Sequence, residues 1–596
     1  MPSSKYLDPK FSIEERVNDL IKIMTQEEKI GQMTQAEKNS INPQDVGKYF
    51  IGSVLSGGGG YPTPNTPKDW SQMVYNYQKA ALQTRLAIPI LYGVDAIHGH
   101  SNTKGAVIFP HNVGLGATRN PELVFKIARA TAEEMIATGV YWNFAPNVSI
   151  PQDIRWGRTY EGFSENTEIV TSLGTAYLLG LQGTNLDEPN SVLATPKHYL
   201  GDGGTSWKSS KIGKRLLDQG DTILDEATLR RIHLLPYSVA IREGALCIMV
   251  SYSSWNSLKM TSNPYLLTDV LKGELGFKGF IVTDWQAVDQ LSTDYYKAVV
   301  LAINAGIDMN MVPYDYKKFI STFNQAVERG EVAEARVNDA VSRILYVKFS
   351  LGLFERPCTL PESHSMVGTE SHRLLARQAV SESLVLLKND SQTLPLQKNI
   401  KTIFVSGKAA NNLGMQCGGW TIEWMGIDGN NIPGTTILQG IRNKVSTGTQ
   451  ILYKPSGRFV PTKGIKSLPD KADIGIVVIG EAPYAESLGD KDDLNLTKKD
   501  IRLVEQMRIR CHRLVIILIS GRPMIITDIL PFTDAFVCAW LPGQEGEGIA
   551  DVLFGEKEFV GRLPYTWPRS LDQLPLNINN LPKGEQAPLF SIDYGL

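Results

Sequence analysis

The sequence has few cysteines, almost no net charge and no long apolar run. Its five cysteines are an odd number scattered without a CxxC motif, so the 596 residues specify neither a disulfide scaffold nor a zinc ribbon. Lysine plus arginine number 60 and aspartate plus glutamate 62, and a net charge of −2 offers nothing to attract a polyanion. We therefore expect no nucleic-acid partner.

The chain also lacks a segment that could cross a membrane. The longest apolar runs, such as residues 514–519, fall far short of the roughly 20 residues that span a bilayer. The polar N-terminus lacks the charged-then-apolar order of a secretory signal, so we expect no targeting segment in this chain. With 42% hydrophobic and 20% charged residues, the composition is that of a soluble globular protein with large cores.

The first half of the chain predicts repeated βα units around a parallel sheet, because short apolar segments alternate with longer helix-like stretches. The eight candidate strands are residues 30–34, 52–56, 89–95, 141–147, 192–198, 247–252, 279–285 and 306–311. Most of them end in polar or aromatic residues, as in YGVDAIHG, NFAPN, ATPKHYLGDGG, VSYSSWN and IVTDW. In a (β/α)8 barrel, catalytic groups lie at these strand ends, although polar loop residues follow many ordinary strands.

A domain boundary is predicted after residue 350, where prolines enter and the helical periodicity is lost. We interpret residues 1–350 as the first domain, 351–370 as a linker, 371–570 as a second domain and 571–596 as a C-terminal tail. The second domain begins with a predicted helix at 371–387, followed by strands at 402–406, 474–480, 514–520 and 535–540. Near-continuous apolar strands indicate a sheet covered on both faces, hence an α/β layered fold.

Two acidic sequences are candidates for chemistry. Asp284 ends an apolar strand and is followed at once by Trp285, a placement that suits a nucleophile and a structural cap equally well. The segment 480–496, GEAPYAESLGDKDDLNL, carries five acidic residues after a buried strand. Loops of this kind commonly carry function, but a solvated acidic loop is the alternative, and the spacing is not that of a calcium-binding EF-hand.

Other conspicuous motifs lack the features of cofactor or metal sites. KHYLGDGGT and the SGGGG turn at residues 56–60 do not fit the phosphate-loop pattern, and we expect the glycine turn to allow close backbone approach. His98 and His100 lack a third ligand nearby in sequence, which favours hydrogen-bonded structural histidines over a metal site. We therefore expect neither a metal nor a cofactor.

Two aromatic residues of the second domain are further candidates for the functional site. Trp420 and Trp424 stand among glycines in CGGWTIEWMG, which indicates an irregular loop displaying aromatic rings, although a helix face in the core is the alternative. Flat rings with polar rims suit the faces of sugars. Two acidic segments, aromatic platforms and no convincing nucleotide or metal motif together favour glycoside hydrolysis.

Ordered motifs along nearly the whole chain resemble glycoside hydrolase family 3, in its β-glucosidase and exo-β-glucanase branch. These motifs are YGVDAIHGHSN, DIRWGRTYEGFSE, KHYLGDGGT, SYSSWN, GFIVTDW, GGWTIEW, GEAPYAESLGD, ISGRP and LPGQEGEGIADVLFG. The resemblance implies a (β/α)8 TIM-like barrel followed by an α/β sandwich, with the active site in the cleft between them. It also implies a location outside the cytoplasm, extracellular or periplasmic, with a cytoplasmic location as the alternative.

The resemblance also implies roles for particular residues. Asp284 would be the nucleophile and Glu486 the general acid and base. The other residues would bind the sugar: Asp95, Arg158, Lys197 and His198 at the hydroxyl groups of the innermost unit, Tyr252 beside the nucleophile, and Trp285 and Trp424 as an aromatic clamp.

The implied activity is that of a retaining, exo-acting β-glucosidase or exo-β-glucanase on terminal non-reducing β-D-glucosyl residues of oligosaccharides or β-glucans. The alternatives are the same fold acting on β-xylosides or N-acetyl-β-glucosaminides, a phosphorylase, or a non-catalytic sugar-binding protein. The KHYLGDGGT form is the main argument against amino sugars. We expect a monomer, with a homodimer as the alternative, and neither nucleic acid nor membrane as a partner.

Overall fold

The computed structural model describes residues 5–357, 364–459, 469–582 and 584–596, so residues 358–363 of the predicted linker lie outside it. The α-helices are α1 (Ile13–Ile23), α2 (Gln26–Gln32), α3 (Pro43–Lys48), α4 (Pro67–Leu82), α5 (Asn112–Thr118), α6 (Pro121–Ile136), α7 (Thr167–Gln182), α8 (Glu226–Leu229), α9 (Leu235–Arg242), α10 (Tyr295–Ala305), α11 (Tyr316–Glu328), α12 (Glu334–Ser350), α13 (Glu370–Ser383), α14 (Leu413–Cys417), α15 (Ile437–Lys444), α16 (Lys498–Arg508) and α17 (Glu547–Leu553). The strands are β1 (Thr34–Glu37), β2 (Ser53–Ser56), β3 (Leu91–Val94), β4 (Trp142–Asn143), β5 (Asp221–Thr222), β6 (Cys247–Met249), β7 (Ser254–Trp255), β8 (Leu258–Lys259), β9 (Phe280–Val282), β10 (Asn310–Met311), β11 (Val385–Asn389), β12 (Thr402–Ser406), β13 (Gln450–Tyr453), β14 (Ala472–Gly480), β15 (Cys511–Ile519) and β16 (Ala535–Trp540).

The first half of the chain closes into a barrel. Strands β10, β1, β2, β3 and β4 pair in that order as a parallel sheet, and β6 pairs in parallel with β9. Isolated parallel bridges close the ring. Residues 193–199 form bridges with the β4 region on one side and with Val250, just after β6, on the other. Val282 of β9 pairs with Met309, which directly precedes β10. The predicted (β/α)8-like barrel is thereby confirmed, and the carboxyl ends of its strands meet at one face.

Two of the predicted barrel strands differ from the observed ones. Residues 30–34 were expected as a strand, but helix α2 occupies most of them and β1 begins only at Thr34. A capping box explains this, because Thr25 and Glu28 satisfy each other's backbone N–H groups and start a helix that absorbs Ile30. Residues 192–198 form bridges without a regular strand, and Pro196 within them has no N–H to give to a ladder.

The second half forms a six-stranded sheet in the order β11-β16-β15-β14-β12-β13, in which only the β11–β16 pair is antiparallel. Buried β14 and β15 pair along their full lengths at the centre, as expected for a sheet covered on both faces. The predicted α/β sandwich is confirmed. The helix predicted at 371–387 is shorter in the structure, where α13 ends at Ser383. The apolar residues that follow form strand β11, which pairs with β16.

The two domains share an interface that is partly apolar and partly backbone-mediated. Ile154 and Tyr160 of the barrel belong to the hydrophobic core cluster of the second domain. The Tyr160 hydroxyl donates to the carbonyl of Tyr484 at 2.7 Å, and His111 Nε2 lies 3.0 Å from the carbonyl of Gly419. The second-domain loops are therefore fixed directly over the carboxyl ends of the barrel strands.

The C-terminal residues pack back onto the second domain. Trp567 and Phe590 form an antiparallel bridge, and Leu563 N donates to the carbonyl of Tyr594 at 2.9 Å. Across the parts of the chain that the structure describes, none of the helices has the length and apolar character required to traverse a bilayer.

A cluster of buried charged residues lies at the amino-terminal ends of the barrel strands, on the face opposite the carboxyl ends. Asp308, fully buried just before β10, accepts from Lys272 Nζ at 2.7 Å and from the guanidinium of Arg336. Its other oxygen accepts from the backbone N–H of Ile281 in β9 at 2.8 Å. Because these groups lie far from the carboxyl ends of the strands, we infer that they stabilise the fold and take no part in catalysis.

We predict that Asp308→Asn lowers the free energy of unfolding by about 3 kcal/mol, because two cations lose their buried counter-charge. Asp339→Asn is the matched control, since Asp339 pairs with the same Arg336 but its side chain is 43% exposed, and we expect a loss under about 1 kcal/mol. Urea unfolding followed by tryptophan fluorescence measures both. Equal losses in the two variants would contradict the assignment.

Candidate active site

A cavity of about 390 Å³ lies where the carboxyl ends of the barrel strands meet the second domain. Its walls bring together all nine residues that the sequence singled out: Asp95, Arg158, Lys197, His198, Tyr252, Asp284, Trp285, Trp424 and Glu486. Further lining residues are Leu55, Gly57, Gly58, Phe144, Arg215, Gln219, Met249, Met311, Tyr314 and Trp420. The cavity therefore combines carboxyls, cations and aromatic rings contributed by two domains.

Asp284 lies just beyond β9 with one carboxylate oxygen held and the other free. Oδ1 accepts from the backbone N–H of Trp285 at 2.6 Å. Oδ2 lies 3.6 Å from His198 Nε2 and has no hydrogen-bond partner among the described residues. Burial raises the pKa of Asp284, while the positive charges of Arg158 and Lys197 oppose that rise from a distance without bonding to it. An ionised Asp284 would present Oδ2 as a nucleophile.

Glu486 reaches the cavity from the loop that follows β14 in the second domain. Its Oε1 accepts from Arg158 Nη1 at 3.2 Å. Burial raises the pKa of Glu486 to about 8 despite that cation, and the negative charges of Asp218 and Asp284 add to the rise. Glu486 is therefore predominantly protonated at neutral pH and able to donate a proton.

Arg158 connects the main polar groups of the cavity. Buried at the domain interface, it donates from Nη2 to Glu161 Oε2 at 2.8 Å, and the same nitrogen lies 3.1 Å from His198 Nε2. Glu161 also accepts from the indole N–H of Trp420 at 3.1 Å. We did not predict a role for Glu161, although its position three residues after Arg158 is a signal for an ion pair.

Lys197 and His198 are held by carboxyls of the barrel. Lys197 Nζ donates to Asp95 Oδ1 at 2.8 Å, and His198 Nδ1 lies 2.9 Å from Asp202 Oδ2. Burial, together with the nearby cations, places the pKa of His198 well below its usual range, so the ring is neutral. A neutral ring that donates from Nδ1 accepts at Nε2, as the contact with Arg158 requires. Such alternating donors and acceptors suit a neutral ligand with several hydroxyl groups.

Aromatic rings form the outer walls, and the glycine turn lies against them. The ring centroids of Trp285 and Tyr314 are 5.6 Å apart, edge to face. A Cβ added at Gly57 would lie 3.0 Å from the Trp285 ring, and one at Gly58 would lie 2.7 Å from Trp424 Cα. The close backbone approach that we predicted for this turn is confirmed, and its partners are the two tryptophans.

Tyr252 and the two noted histidines have structural contacts. The Tyr252 hydroxyl donates to the carbonyl of Trp285, next to Asp284. His98 Nδ1 lies 3.0 Å from the carbonyl of Phe109 and His100 Nε2 lies 2.9 Å from Thr138 Oγ1, so both are hydrogen-bonded as expected. In the described ranges, no three or more His, Cys, Asp or Glu side chains are grouped to hold a metal ion.

Comparison with protein-family models covers nearly the whole chain. The model of the glycosyl hydrolase family 3 N-terminal domain matches residues 25–347. The model of the glycosyl hydrolase family 3 C-terminal domain matches residues 384–596. The cavity therefore lies between the two regions that these models match.

Individual relatives agree with the family models. The chain is 34% identical to the lysosomal beta glucosidase of Dictyostelium discoideum, over 97% of this chain and 75% of that protein. It is 31% identical to the periplasmic beta-glucosidase of Salmonella typhimurium, over 95% and 76%. Among solved structures, a mutant of the exo-1,3/1,4-beta-glucanase of a Pseudoalteromonas species superposes with a TM-score of 0.91 and 39% identity, covering 99% of this chain and 95% of that one.

We predict that Gly58→Ala widens the aromatic cleft. The added Cβ needs roughly 1 Å more room beside Trp424 Cα to reach ordinary van der Waals separation, so the loop of Trp424 must move away from the turn. Crystal structures of the two forms measure the separation of the Trp285 and Trp424 rings. Gly448→Ala is the control, because a Cβ there meets nothing within 4 Å. An unchanged separation in Gly58→Ala would contradict the packing argument.

Proposed function

The chain belongs to glycosyl hydrolase family 3, and from that membership we propose that it is a retaining, exo-acting β-glucosidase in which Asp284 and Glu486 perform the chemistry. The observation that carries the proposal is the pairing of these two carboxyls in one cavity, each supplied by a different domain. Their environments differ as two separate roles require. One oxygen of Asp284 has no hydrogen-bond partner within the described part of the chain, and Glu486 has a pKa raised to about 8.

The first chemical step forms a covalent intermediate. Asp284 Oδ2 attacks the anomeric carbon, the glycosidic C–O bond breaks, and its electron pair leaves with the oxygen of the departing group. Glu486 gives its proton to that oxygen, so the departing group leaves as a neutral alcohol. Trp285 N–H holds the other oxygen of Asp284 and keeps the carboxylate oriented during the attack.

The second step releases the sugar. Glu486, now ionised, takes a proton from water, and the resulting hydroxide oxygen attacks the anomeric carbon. The bond to Asp284 breaks and its electron pair returns to the carboxylate. Two inversions give net retention of the β configuration, and both residues recover their starting protonation states.

The remaining cavity residues bind the sugar in this proposal. Asp95, Lys197 and His198, together with Arg158, offer donors and acceptors on one side, where the hydroxyl groups of a terminal glucosyl unit would lie. Trp285 and Trp424 would contact the faces of the next unit. The exo-1,3/1,4-beta-glucanase relative supports action on both β-1,3 and β-1,4 linkages by this chain.

The location of the protein is proposed by analogy with a relative, and its assembly state from the composition of the cavity. A periplasmic relative supports our proposal that this protein acts outside the cytoplasm. We also propose that it acts as a monomer, because one chain supplies all nine of the predicted site residues that line the cavity.

We predict that kcat/KM for phenyl β-glucoside follows a bell-shaped pH profile: it falls about tenfold per pH unit above pH 8, and it also falls at low pH, where the nucleophile Asp284 takes up a proton. The basic limb arises because Glu486, with a pKa of about 8, must hold a proton in the free enzyme to assist departure of the phenol. Glu486→Ala should lose this basic limb and about 10²- to 10⁴-fold in rate. With 2,4-dinitrophenyl β-glucoside, which needs little acid assistance, azide should restore turnover and yield β-glucosyl azide.

The control is Asp492→Ala, which changes an exposed carboxyl in the same loop and should leave both rate and pH profile unchanged. Formation of α-glucosyl azide would contradict retention, and the absence of azide rescue would contradict the role of Glu486. Hydrolysis of an aryl β-xyloside or N-acetyl-β-glucosaminide in preference to the β-glucoside would replace the proposed substrate. Binding of glucose without any turnover would indicate a sugar-binding protein.

A further inference from the structure

The carboxylate of Asp490, four residues after Glu486, joins the second domain to the barrel. Its Oδ2 accepts from three consecutive backbone N–H groups of residues 216–218, at 3.0, 2.8 and 2.9 Å. Its Oδ1 accepts from the N–H of Gly157 at 2.8 Å. Successive N–H groups that converge on one oxygen form an anion-binding concavity, here filled by a side chain of the other domain.

Both barrel segments that bind Asp490 are adjacent to residues of the cavity. Gly157 directly precedes Arg158, which donates to Glu486. Residues 216–218 directly follow Arg215, which lines the cavity wall. Asp490 itself is not among the residues that line the cavity. Its hydrogen bonds therefore link the loop of Glu486 to the two barrel loops that surround it.

The loop of Glu486 also packs directly on the barrel backbone. A Cβ added at Gly157 would lie 1.8 Å from the carbonyl oxygen of Glu486, so no side chain separates the two segments. Lys491 N donates to the carbonyl of Arg155 at 3.0 Å. Buried Arg522 donates to the carbonyls of Gly489 and Arg155, at 2.7 and 3.1 Å. Both ends of the segment 486–491 are thus fixed by polar contacts at the domain interface.

The backbone of Glu486 needs such support. Its φ of 51° lies in the left-handed region, which few residues other than glycine adopt without cost. A conformation of this kind persists where the surrounding structure imposes it, and it commonly occurs at functional sites. Asp490 is the side chain in this loop with the largest set of hydrogen bonds to the facing barrel backbone.

We propose that Asp490 is a positioning residue for proton transfer: by binding four backbone N–H groups of the barrel, it holds the carboxyl of Glu486 in its place in the cavity. This inference rests on the proposed role of Glu486. Asp490 acts through the loop and takes no part in bond making or breaking. Displacement of a catalytic group by about 1 Å can cost on the order of 10²-fold in rate, so loss of the anchor is measurable.

The test is the dependence of kcat/KM on the leaving group across a series of aryl β-glucosides. In Asp490→Asn an NH2 group replaces one acceptor oxygen, so at least one N–H donor loses its partner. We expect a loss of about 10²-fold with phenyl β-glucoside, which needs the acid, and of at most about tenfold with 2,4-dinitrophenyl β-glucoside. A uniform loss across the series, or no loss, would overturn the proposal.

Gly157→Ala perturbs the same contact from the barrel side and should steepen the leaving-group dependence in the same way. If Asp490→Asn fails to fold, which the thermal melting curve reports, Asp490→Glu decides the question, because it keeps both acceptor oxygens but moves them by one methylene and should also steepen the dependence. Asp492→Asn is the matched control, since this exposed carboxyl of the same loop should change neither the rates nor the dependence. If Glu486→Ala shows no leaving-group dependence, the proposed function itself fails. If Glu486→Ala shows it and the Asp490 and Gly157 variants do not, only the present inference fails.

Discussion

The interface between the barrel and the second domain is the constraint on which the active site depends. Asp284 follows barrel strand β9, whereas Glu486 belongs to a loop of the other domain, so neither domain alone contains both carboxyls. The interface meets this requirement with apolar packing around Tyr160 and with hydrogen bonds to backbone atoms, which fix position more closely than contacts between two flexible side chains. A small shift between the domains would leave each fold intact and still separate the reacting groups.

Burial of charge is the second feature that shapes the site. Arg158 lies among Glu161, Glu486 and the more distant Asp284, and its positive charge limits the pKa rise that burial causes in Glu486 and Asp284. Glu161 and Glu486 both accept hydrogen bonds from Arg158, and burial raises the pKa of Glu486 in spite of that contact. The charge of Arg158 therefore affects both Glu486 and Asp284, to which we assign separate roles.

The local sequence pattern predicted strands that are buried over all or most of their length. The central strands β14 and β15 and the barrel strands β2, β3 and β9 were predicted because an apolar run leaves little choice of environment. The strand expected at 30–34 and the missed strand β11 show where local pattern is insufficient. Ile30 and Val385 suit either a helix or a strand, and helix capping or tertiary strand pairing determines which one forms.

The residues of the site were predicted to different extents. Asp284 and Glu486 were identified through family motifs, whereas Asp490 was read only as part of an acidic loop, because its partners are backbone N–H groups more than 270 residues away.

The most direct test of the two-carboxyl account is to trap the covalent intermediate. The protein is incubated with 2,4-dinitrophenyl 2-deoxy-2-fluoro-β-glucoside, whose fluorine slows release of the sugar, and intact mass and peptide mapping follow. The account predicts one fluoroglucosyl group per chain, attached to Asp284. A sample that cleaves aryl β-glucosides but carries no adduct, or carries it on another residue, would contradict Asp284 as the nucleophile.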